Sequence, residues 1–447
     1  MLRKPTHSSA LNLVCFASIG MLFSSIGNAE DWTQFRGPSG TAVVASDKAF
    51  PSVLSESNRT WSTEIPGQGW SSPVYAGKHI WLTTAETTKA TESQIAQKTK
   101  DVQFAQIKTV AGSIRLRAIC VDAESGKILH NKLLASVNDP DLVNPLNSYA
   151  SPTPAIANGR VVCHFGSYGT WCLDVATGET IWENKLVIDH SVGPGSSPVI
   201  SGNIVVIPCD GIDQQFVAGL DLQTGKTAWQ TKRPPMGSSN GEYQKAYSTP
   251  LLIKLGGQTQ AVIPGAQWVC AYEPATGKEI WRADYQSGFS TTPMPVYESG
   301  LLVCSTGYMA GKLFAIDPKG AGDISSQITW QSTNGGNTMP TSVARNGLIY
   351  SVGERGILSV HKASDGSLVS RARLGGKYAS SPLLVGDMLY VGSQAGELSV
   401  FQIDGATGKP TLLQKNQLDG AIMASPIVID NDLLVRTSKS LVRYASK

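Results

Sequence analysis

The sequence has little of several features that point to common functions. Only 16% of its 447 residues are charged, the formal net charge is +3, and the chain contains no basic run. Proteins that bind nucleic acid usually concentrate Lys and Arg in a patch or along a helix, so nucleic acid is not an expected partner. The chain also lacks a His-Glu-x-x-His motif and a phosphate-binding loop, which argues against those two catalytic classes.

Cysteine is scarce and scattered. Six cysteines follow Cys15, and no Cys-x-x-Cys occurs. A zinc site is therefore not expected, and the sequence predicts no metal site. Cys163 and Cys172 form the one notable pair, because a turn centred on Ser167 and Tyr168 would place them opposite each other on two strands. An oxidising compartment would permit a disulfide there. The alternative is two buried free thiols that pack as small hydrophobes, and the sequence leaves both open.

Long hydrophobic runs are absent except at the N-terminus. Arg3 and Lys4 precede a mostly apolar stretch over residues 11–26, and small residues lead to Ala29 and Glu30. This pattern predicts a secretory signal peptide over residues 1–29 that is cleaved near Ala29. A membrane anchor is the weaker alternative, because the apolar run is short and is broken by Ser and Gly. We therefore expect a periplasmic or extracellular protein with no transmembrane segment in the mature chain.

The feature that is present in abundance is a repeated hairpin. Residues 171–182 read as a strand, an Asp-x-x-Thr-Gly turn and a second strand that ends on Trp, and residues 220–229 and 272–281 repeat or nearly repeat the design. Looser copies occupy residues 121–127 and 403–409. The Asp is suited to cap the turn, and Gly supplies the positive φ that other residues resist. A hairpin that recurs every few dozen residues predicts a repeat architecture.

A second phrase completes the unit. A small-small-Pro motif, such as Ser196-Ser197-Pro198, precedes an apolar run, a Gly or Asn turn and another apolar run; similar phrases end at Pro73, Pro152, Pro250, Pro293, Pro382 and Pro426, with a degraded copy at Pro340. About eight units of roughly 40–50 residues match the spacing of four-stranded propeller blades. The last unit is one strand short, and residues 59–65 read as the strand that would complete it. The prediction is all-β: an eight-bladed β-propeller of four-stranded antiparallel blades over residues 59–447, closed by an N-terminal strand and preceded by a non-repeat segment at 30–58.

The tryptophans that end or begin outer strands have a structural interpretation. We expect them to pack between adjacent blades, because each buries a large apolar area. The residues concerned are Trp61, Trp182, Trp229, Trp281 and Trp330.

All elaboration of the repeat is expected on one face. A polar insertion at residues 85–113 lies between strands B and C of the first blade, and several D–A connections are long. B–C and D–A loops emerge on the same side of a propeller, where binding residues are expected on a rigid scaffold. Solvated loops without a ligand are the alternative. The segments 85–113, 138–149, 164–168 and 233–247 supply this face; its candidate ligand residues are Tyr149, His164, Tyr168, His190, Asp210 and Tyr247.

The Ser-Pro phrase together with Asp-x-x-Thr-Gly-Lys-x-x-Trp resembles the PQQ-like propeller repeat of quinoprotein alcohol dehydrogenases and of the outer-membrane assembly factor BamB. The resemblance covers nearly the whole chain after the signal peptide. Residues 31–40 are also similar to the mature N-termini of exported bacterial proteins of this group, and we expect Trp32 and Phe35 to anchor that segment on the propeller.

The resemblance implies two functions. A BamB-like propeller is a non-catalytic scaffold that binds a protein or cell-envelope ligand, with no catalytic residue and no cofactor, although this chain has no lipobox. The alternative is a divergent PQQ-dependent dehydrogenase that holds PQQ and calcium in the central funnel. This chain lacks the adjacent Cys pair of those enzymes and a haem-attachment Cys-x-x-Cys-His, and its available acidic residues Asp210, Asp213 and Glu242 show no recognisable ligand spacing.

Overall fold

The computed structural model describes residues 1, 31–46, 48–286, 288–308 and 311–446. The predicted signal peptide, apart from Met1, lies outside the described residues. No helix in the described part of the chain is long and apolar enough to cross a membrane.

Eight antiparallel sheets, each built on four strands, form the blades of a β-propeller, which confirms the predicted architecture. We name the blades 1 to 8 in chain order and the strands of each blade A to D from the centre outward. Blade 1 has strands Val74–Ala76, His79–Lys89, Ala111–Asp122 and Ile128–Asn138, and blade 2 has Ala155–Ala157, Arg160–His164, Thr170–Asp174 and Thr180–Asn184. Blade 3 has strands Val199–Ser201, Ile204–Asp210, Gln215–Asp221 and Thr227–Lys232, and blade 4 has Leu251–Leu255, Gln258–Pro264, Trp268–Tyr272 and Glu279–Asp284.

Blade 5 has strands Val296–Glu298, Leu301–Ser305, Leu313–Ile316 and Ile328–Ser332, and blade 6 has Val343–Arg345, Leu348–Val352, Ile357–Lys362 and Leu368–Arg373. Blade 7 has strands Leu383–Val385, Met388–Gly392, Glu397–Ile403 and Pro410–Gln417, and blade 8 has Ile427–Ile429, Asp432–Arg436, Ser440–Tyr444 and Arg59–Glu64. Strand D of blade 8 therefore comes from the N-terminal side, pairing Ser62 with Val442 and Glu64 with Ser440. This pairing confirms the predicted closure of the ring, which leaves no open end to the array of blades.

Two short strands extend sheets in parallel. Val43–Val44 pairs with strand A of blade 7, and Gly322–Asp323 pairs with strand D of blade 4. Helical structure among the described residues is confined to one α-helix, Glu92–Thr99, and the 3₁₀ turns Ala105–Ile107, Gly166–Tyr168, Gly241–Tyr243 and Ser325–Gln327. The α-helix lies inside the predicted insertion of blade 1, whose ends at Ala85–Lys89 and Ala111–Ser113 belong to lengthened strands B and C.

The repeated turn packs against the neighbouring blade. The Asp174 carboxylate accepts hydrogen bonds from the amides of Ala176 and Thr177, at 2.9 and 2.8 Å, and Gly178 has φ of +67°. In blade 3 a Cβ on Gly225 would lie 2.5 Å from the Trp182 ring of blade 2. Glycine is therefore needed here both for its backbone conformation and for the space that the tryptophan occupies.

Four of the five predicted inter-blade tryptophans make this contact. The indole N–H of Trp61, Trp182, Trp229 and Trp330 donates to a turn carbonyl of the following blade, at 2.9–3.0 Å. Trp281 differs, because it is fully buried in the cluster shared by blades 4 and 5 and donates to Gln260 of its own blade. The other four partners each place a turn glycine against the tryptophan, at Gly126, Gly225, Gly277 and Gly366, whereas no glycine in the described part of blade 5 contacts Trp281.

Of the two alternatives left open for Cys163 and Cys172, the structure has the free thiols. Strands B and C of blade 2 pair Cys163 with Trp171 and Val162 with Cys172, so the hairpin is centred on Ser167. This register is one residue away from the one that would face the two cysteines, and a one-residue slip sends side chains to opposite faces of a sheet. Cys163 and Cys172 consequently lie in different hydrophobic clusters, and both are buried free thiols.

The N-terminal segment crosses the middle of the ring. Trp32 is buried and bridges Tyr75 of blade 1, and Phe35 packs on the cluster of blades 4 and 5. The buried Arg36 donates to the carbonyls of Ser342 in blade 6 and Pro382 in blade 7. The segment therefore ties together blades on opposite sides of the propeller.

Candidate functional site

The residue before the strand A proline links the blades around the central channel. Its hydroxyl accepts a hydrogen bond from the equivalent backbone amide of the preceding blade, at 2.9–3.0 Å. Seven hydroxyls, which we call the hydroxyl ring, make these bonds: Ser72, Thr153, Ser197, Thr249, Thr341, Ser381 and Ser425. Each of these bonds satisfies a buried amide, which would be costly to leave unpaired.

The hydroxyl ring corrects the predicted alignment of three units. Strand A of blade 2 follows Pro154 and that of blade 5 follows Pro295, two residues beyond the prolines assigned from sequence. In blade 6 Ser342 takes the proline position. Met294 then occupies the hydroxyl position of blade 5, which explains why the ring has no member there.

The hydroxyl ring forms part of the wall of a central cavity of about 530 Å³. Phe35 of the N-terminal segment also lines it, and the remaining lining residues come from D–A and B–C loops. The cavity therefore lies on the loop-rich face that the sequence predicts, and residues 104–108 of the blade 1 insertion form part of its wall.

A buried charged cluster stands on one side of this cavity. Glu242 accepts from Lys108 Nζ at 3.3 Å and from Ser191 Oγ at 2.8 Å, and it forms an ion pair with Lys245. The side chains of Lys108, Lys245 and Glu242 are only 3, 6 and 7% exposed. Burial lowers the pKa of Lys245. Burial also acts to raise the pKa of Glu242, but the bonds from Lys245 and Ser191 outweigh it and the pKa lies below its usual value.

The rim of the cavity is apolar and exposed. Five large side chains both line the cavity and remain exposed to solvent: Phe104, Ile107, Leu146, Tyr243 and Tyr308. Phe289 joins two of them, because its ring packs edge-on against Tyr243 at 4.9 Å and Tyr308 at 6.2 Å. Aromatic side chains of this kind are typical anchors in protein interfaces.

Of the six candidate ligand residues, Tyr247 lines the central cavity, and its hydroxyl donates to the His190 carbonyl at 2.6 Å. The other five are engaged inside the protein. Tyr149 donates to the carbonyl of Asp141, and Tyr168 accepts from the amide of the same residue. Asp210 forms a fully buried ion pair with Arg233.

The two candidate histidines are buried in the same loops. His164 Nδ1 lies 2.8 Å from Thr170 Oγ1, and His190 Nε2 accepts from the Ser167 amide at 3.2 Å. Burial lowers the pKa of His164 to about 3 and that of His190 to about 4. Both are therefore neutral imidazoles at pH 7, and both support loops of the cavity face.

Sequence reasoning missed the lysines of the charged cluster. Lys108 and Glu242 are 134 residues apart in the sequence. They lie in two irregular loops outside the repeated unit, so no periodic pattern in the sequence predicts that they pair. The sequence marks Glu242 only as an available carboxylate. The one local indication was the polar insertion itself, which predicts an elaborated face without identifying the residues that it contributes.

Comparison with known proteins agrees with this architecture. A family model described as "Outer membrane protein assembly factor BamB" matches residues 76–263 and 310–442. The BamB of Xanthomonas campestris pv. campestris is 27% identical over 212 residues, which is 47% of this chain and 48% of that protein. The BamB of Legionella pneumophila (strain Paris) is 26% identical over 216 residues, 46% of this chain and 50% of that protein. The chain thus spans about half the length of these curated relatives.

Solved structures show the same fold. The crystal structure of BamB from Moraxella catarrhalis is similar with a TM-score of 0.53 and 16% identity, covering 76% of this chain and all of that one. A europium-containing methanol dehydrogenase is similar with a TM-score of 0.61 and 13% identity, covering 92% of this chain and 90% of that one. At these identities the likeness concerns the fold alone. The extended match of the family model shows that the chain belongs to the PQQ-like propeller family of the outer membrane protein assembly factor BamB.

Proposed function

We propose that this protein is a non-catalytic scaffold of the cell envelope that binds a protein partner during outer membrane protein assembly. Export to the periplasm or the cell exterior, through the signal peptide at residues 1–29, is part of the proposal. The family membership supports the process, and the names of the relatives refer to the same process.

The observation that carries the proposal is the exposed apolar rim. Phe104, Ile107, Leu146, Tyr243 and Tyr308 come from four separate loops yet surround one cavity. Scattered exposed hydrophobic residues are normal on a soluble protein, whereas a concentration of them around a concave site marks an interaction surface. Since the strands below the rim are fixed by the blades, the rim offers a preorganised surface to a partner.

The test removes the rim and keeps the fold. A Phe104→Ala, Leu146→Ala, Tyr243→Ala variant is expressed in cells that lack the native protein, and outer membrane proteins are quantified in the isolated outer membrane. We expect this variant to fail to restore them. The matched control is Leu368→Ala, Leu412→Ala, since these two exposed side chains lie on D strands of blades 6 and 7. Full restoration by the rim variant, with unchanged export and melting, would refute the proposal.

The alternative, a dehydrogenase that uses PQQ and calcium, finds less support in the cavity. Among the described residues no group of three or more His, Cys, Asp and Glu side chains is arranged to hold a metal ion. Glu242 is bonded to two lysines, and Glu354 accepts a hydrogen bond from Thr338. These carboxylates do not fit a calcium site. Calorimetric titration with PQQ, with and without calcium, tests the alternative: tight, calcium-dependent, one-to-one binding would favour the enzyme.

A further inference from the structure

The wall of the central cavity has more hydrogen-bond donors than the protein itself uses. Each hydroxyl of the hydroxyl ring accepts from a backbone amide and keeps its own O–H, for which the described residues supply no acceptor. The indole N–H of Trp70 is likewise buried without a partner in the described part of the chain. A buried donor without an acceptor is costly unless a ligand or water satisfies it.

The charged cluster adds two further donors. An ammonium group has three N–H bonds. Lys108 uses two of them, on Ser191 and Glu242, and Lys245 also uses two, on the same pair of residues. Each lysine lines the cavity and keeps one N–H for which the described residues supply no acceptor, and the two lysines share a single carboxylate within the cluster.

Few side-chain anions compete for these donors. Apart from Glu242, the carboxylate on the cavity wall is Glu354, which is bonded to Thr338. Behind the cluster, Asp141 and Asp189 line an adjoining crevice, and Asp189 accepts a hydrogen bond from the amide of Ser191. The remainder of the cavity is largely apolar, with Phe35, Phe289 and Met339 among its lining residues.

We infer that this cavity binds a carboxylate carried on an apolar body, with the carboxylate against Lys108 and Lys245 and the apolar part against the aromatic rim. Ionised oxygens form the strongest hydrogen bonds with ammonium donors, and they do so best where water is excluded. The inference deepens the proposed function, because it states the chemistry that the partner presents to the cavity. The carboxylate has two possible sources, the C-terminus of a protein chain or a free small acid.

The experiment compares acids with their amides on the unmodified protein. Calorimetry measures the binding of an N-acetylated Gly-Ala-Ala-Leu tetrapeptide as the free acid and as the C-terminal amide, and of hexanoate and hexanamide. We expect each acid that binds to do so at least about tenfold more tightly than its amide, since a charged hydrogen bond is lost. Tighter binding by the peptide acid identifies a chain terminus as the source, and tighter binding by hexanoate identifies a small acid. Equal binding of acid and amide, or no binding by any of the four, overturns the inference.

Two variants connect the effect to the cluster. Lys108→Gln and Lys245→Gln should each reduce the acid-over-amide preference about tenfold, while Lys415→Gln, on the outer strand of blade 7, should leave it unchanged. The result is independent of the test in cells. If the protein binds acids selectively but does not support outer membrane protein assembly, the proposed function is contradicted and the ligand assigned to the cavity stands. If it supports assembly but does not prefer acids, the proposed function stands and the assigned ligand is wrong.

Discussion

The two faces of the propeller differ, although the same strands run between them. On the face with the A–B and C–D turns, one contact recurs: a glycine turn packs beneath an aromatic side chain of the preceding blade, as Gly225 does beneath Trp182. On the opposite face little recurs apart from the hydroxyl ring, and the rest of the cavity is built from one insertion, long D–A loops and a single cluster of charges. The first face stabilises the ring, and the second is free to differ from blade to blade.

This comparison predicts where substitution is most harmful to stability. Gly225→Ala should lower the free energy of unfolding by about 2–4 kcal/mol, because the new methyl group would clash with Trp182 and alanine resists a positive φ. The change in the denaturant midpoint measures the loss. Gly202→Ala is the matched control: its φ is also positive, at +60°, but nothing lies within 4 Å of the new methyl group. Its expected loss is about 1 kcal/mol, and equal losses for both would show that backbone strain alone matters.

The hydroxyl ring lines the cavity of the loop-rich face but recurs from blade to blade, and its loss should have an intermediate effect on stability. Ser381→Ala removes the acceptor of the buried Thr341 amide, at 2.9 Å, and should lower the free energy of unfolding by about 1–3 kcal/mol. Ser364→Ala, at an exposed position of a C–D turn, should change it by less than about 0.5 kcal/mol. If both variants melt alike, the ring hydroxyls would have no part in holding the blades together.

Acid should weaken the loop-rich face. The pKa values of about 3 for His164 and about 4 for His190 lie below the value of about 6.5 expected in an unfolded chain. The unfolded state therefore binds more protons below pH 6.5, and stability that is present above that pH is lost as the pH falls toward 4. Each histidine should contribute about 1.4 kcal/mol per pH unit in this range.

Denaturant unfolding at pH 7, 6 and 5 measures this slope. The comparison variant is His190→Gln, which should be less stable at pH 7 but less sensitive to acid, since one of the two titrating groups is gone. Parallel curves for the two proteins would contradict the assignment of His190 as a buried neutral imidazole.

The same contrast explains how much the sequence could predict. The turn, the number of blades and the closing strand can be predicted because the unit is repeated, and an error in one copy does not change the pattern shown by the others. The start of strand A is predicted wrongly in blades 2 and 5. Each of these two blades has two prolines two residues apart, and a strand of only three residues gives no further signal to choose between them. The sequence likewise leaves open whether Cys163 and Cys172 form a disulfide, since a single residue in the hairpin decides which face each thiol occupies. The cavity charges come from unrepeated loops, whose pairing depends on the assembled ring.

Removing the insertion of blade 1 should have little effect on stability, although it deletes many residues. Replacing residues 90–110 by Asn-Gly joins strand B at Lys89 to strand C at Ala111, which already pair with each other, and this dipeptide favours a tight hairpin. The helix Glu92–Thr99 in this segment buries no residue. We therefore expect the free energy of unfolding to change by less than about 1 kcal/mol. The deletion removes Lys108 from the charged cluster, but Glu242 keeps Lys245 as its ion-pair partner, and Phe104 and Ile107 are lost from the rim. A loss of several kcal/mol, or a broadened transition, would place the insertion within the cooperative core and remove the distinction between the two faces.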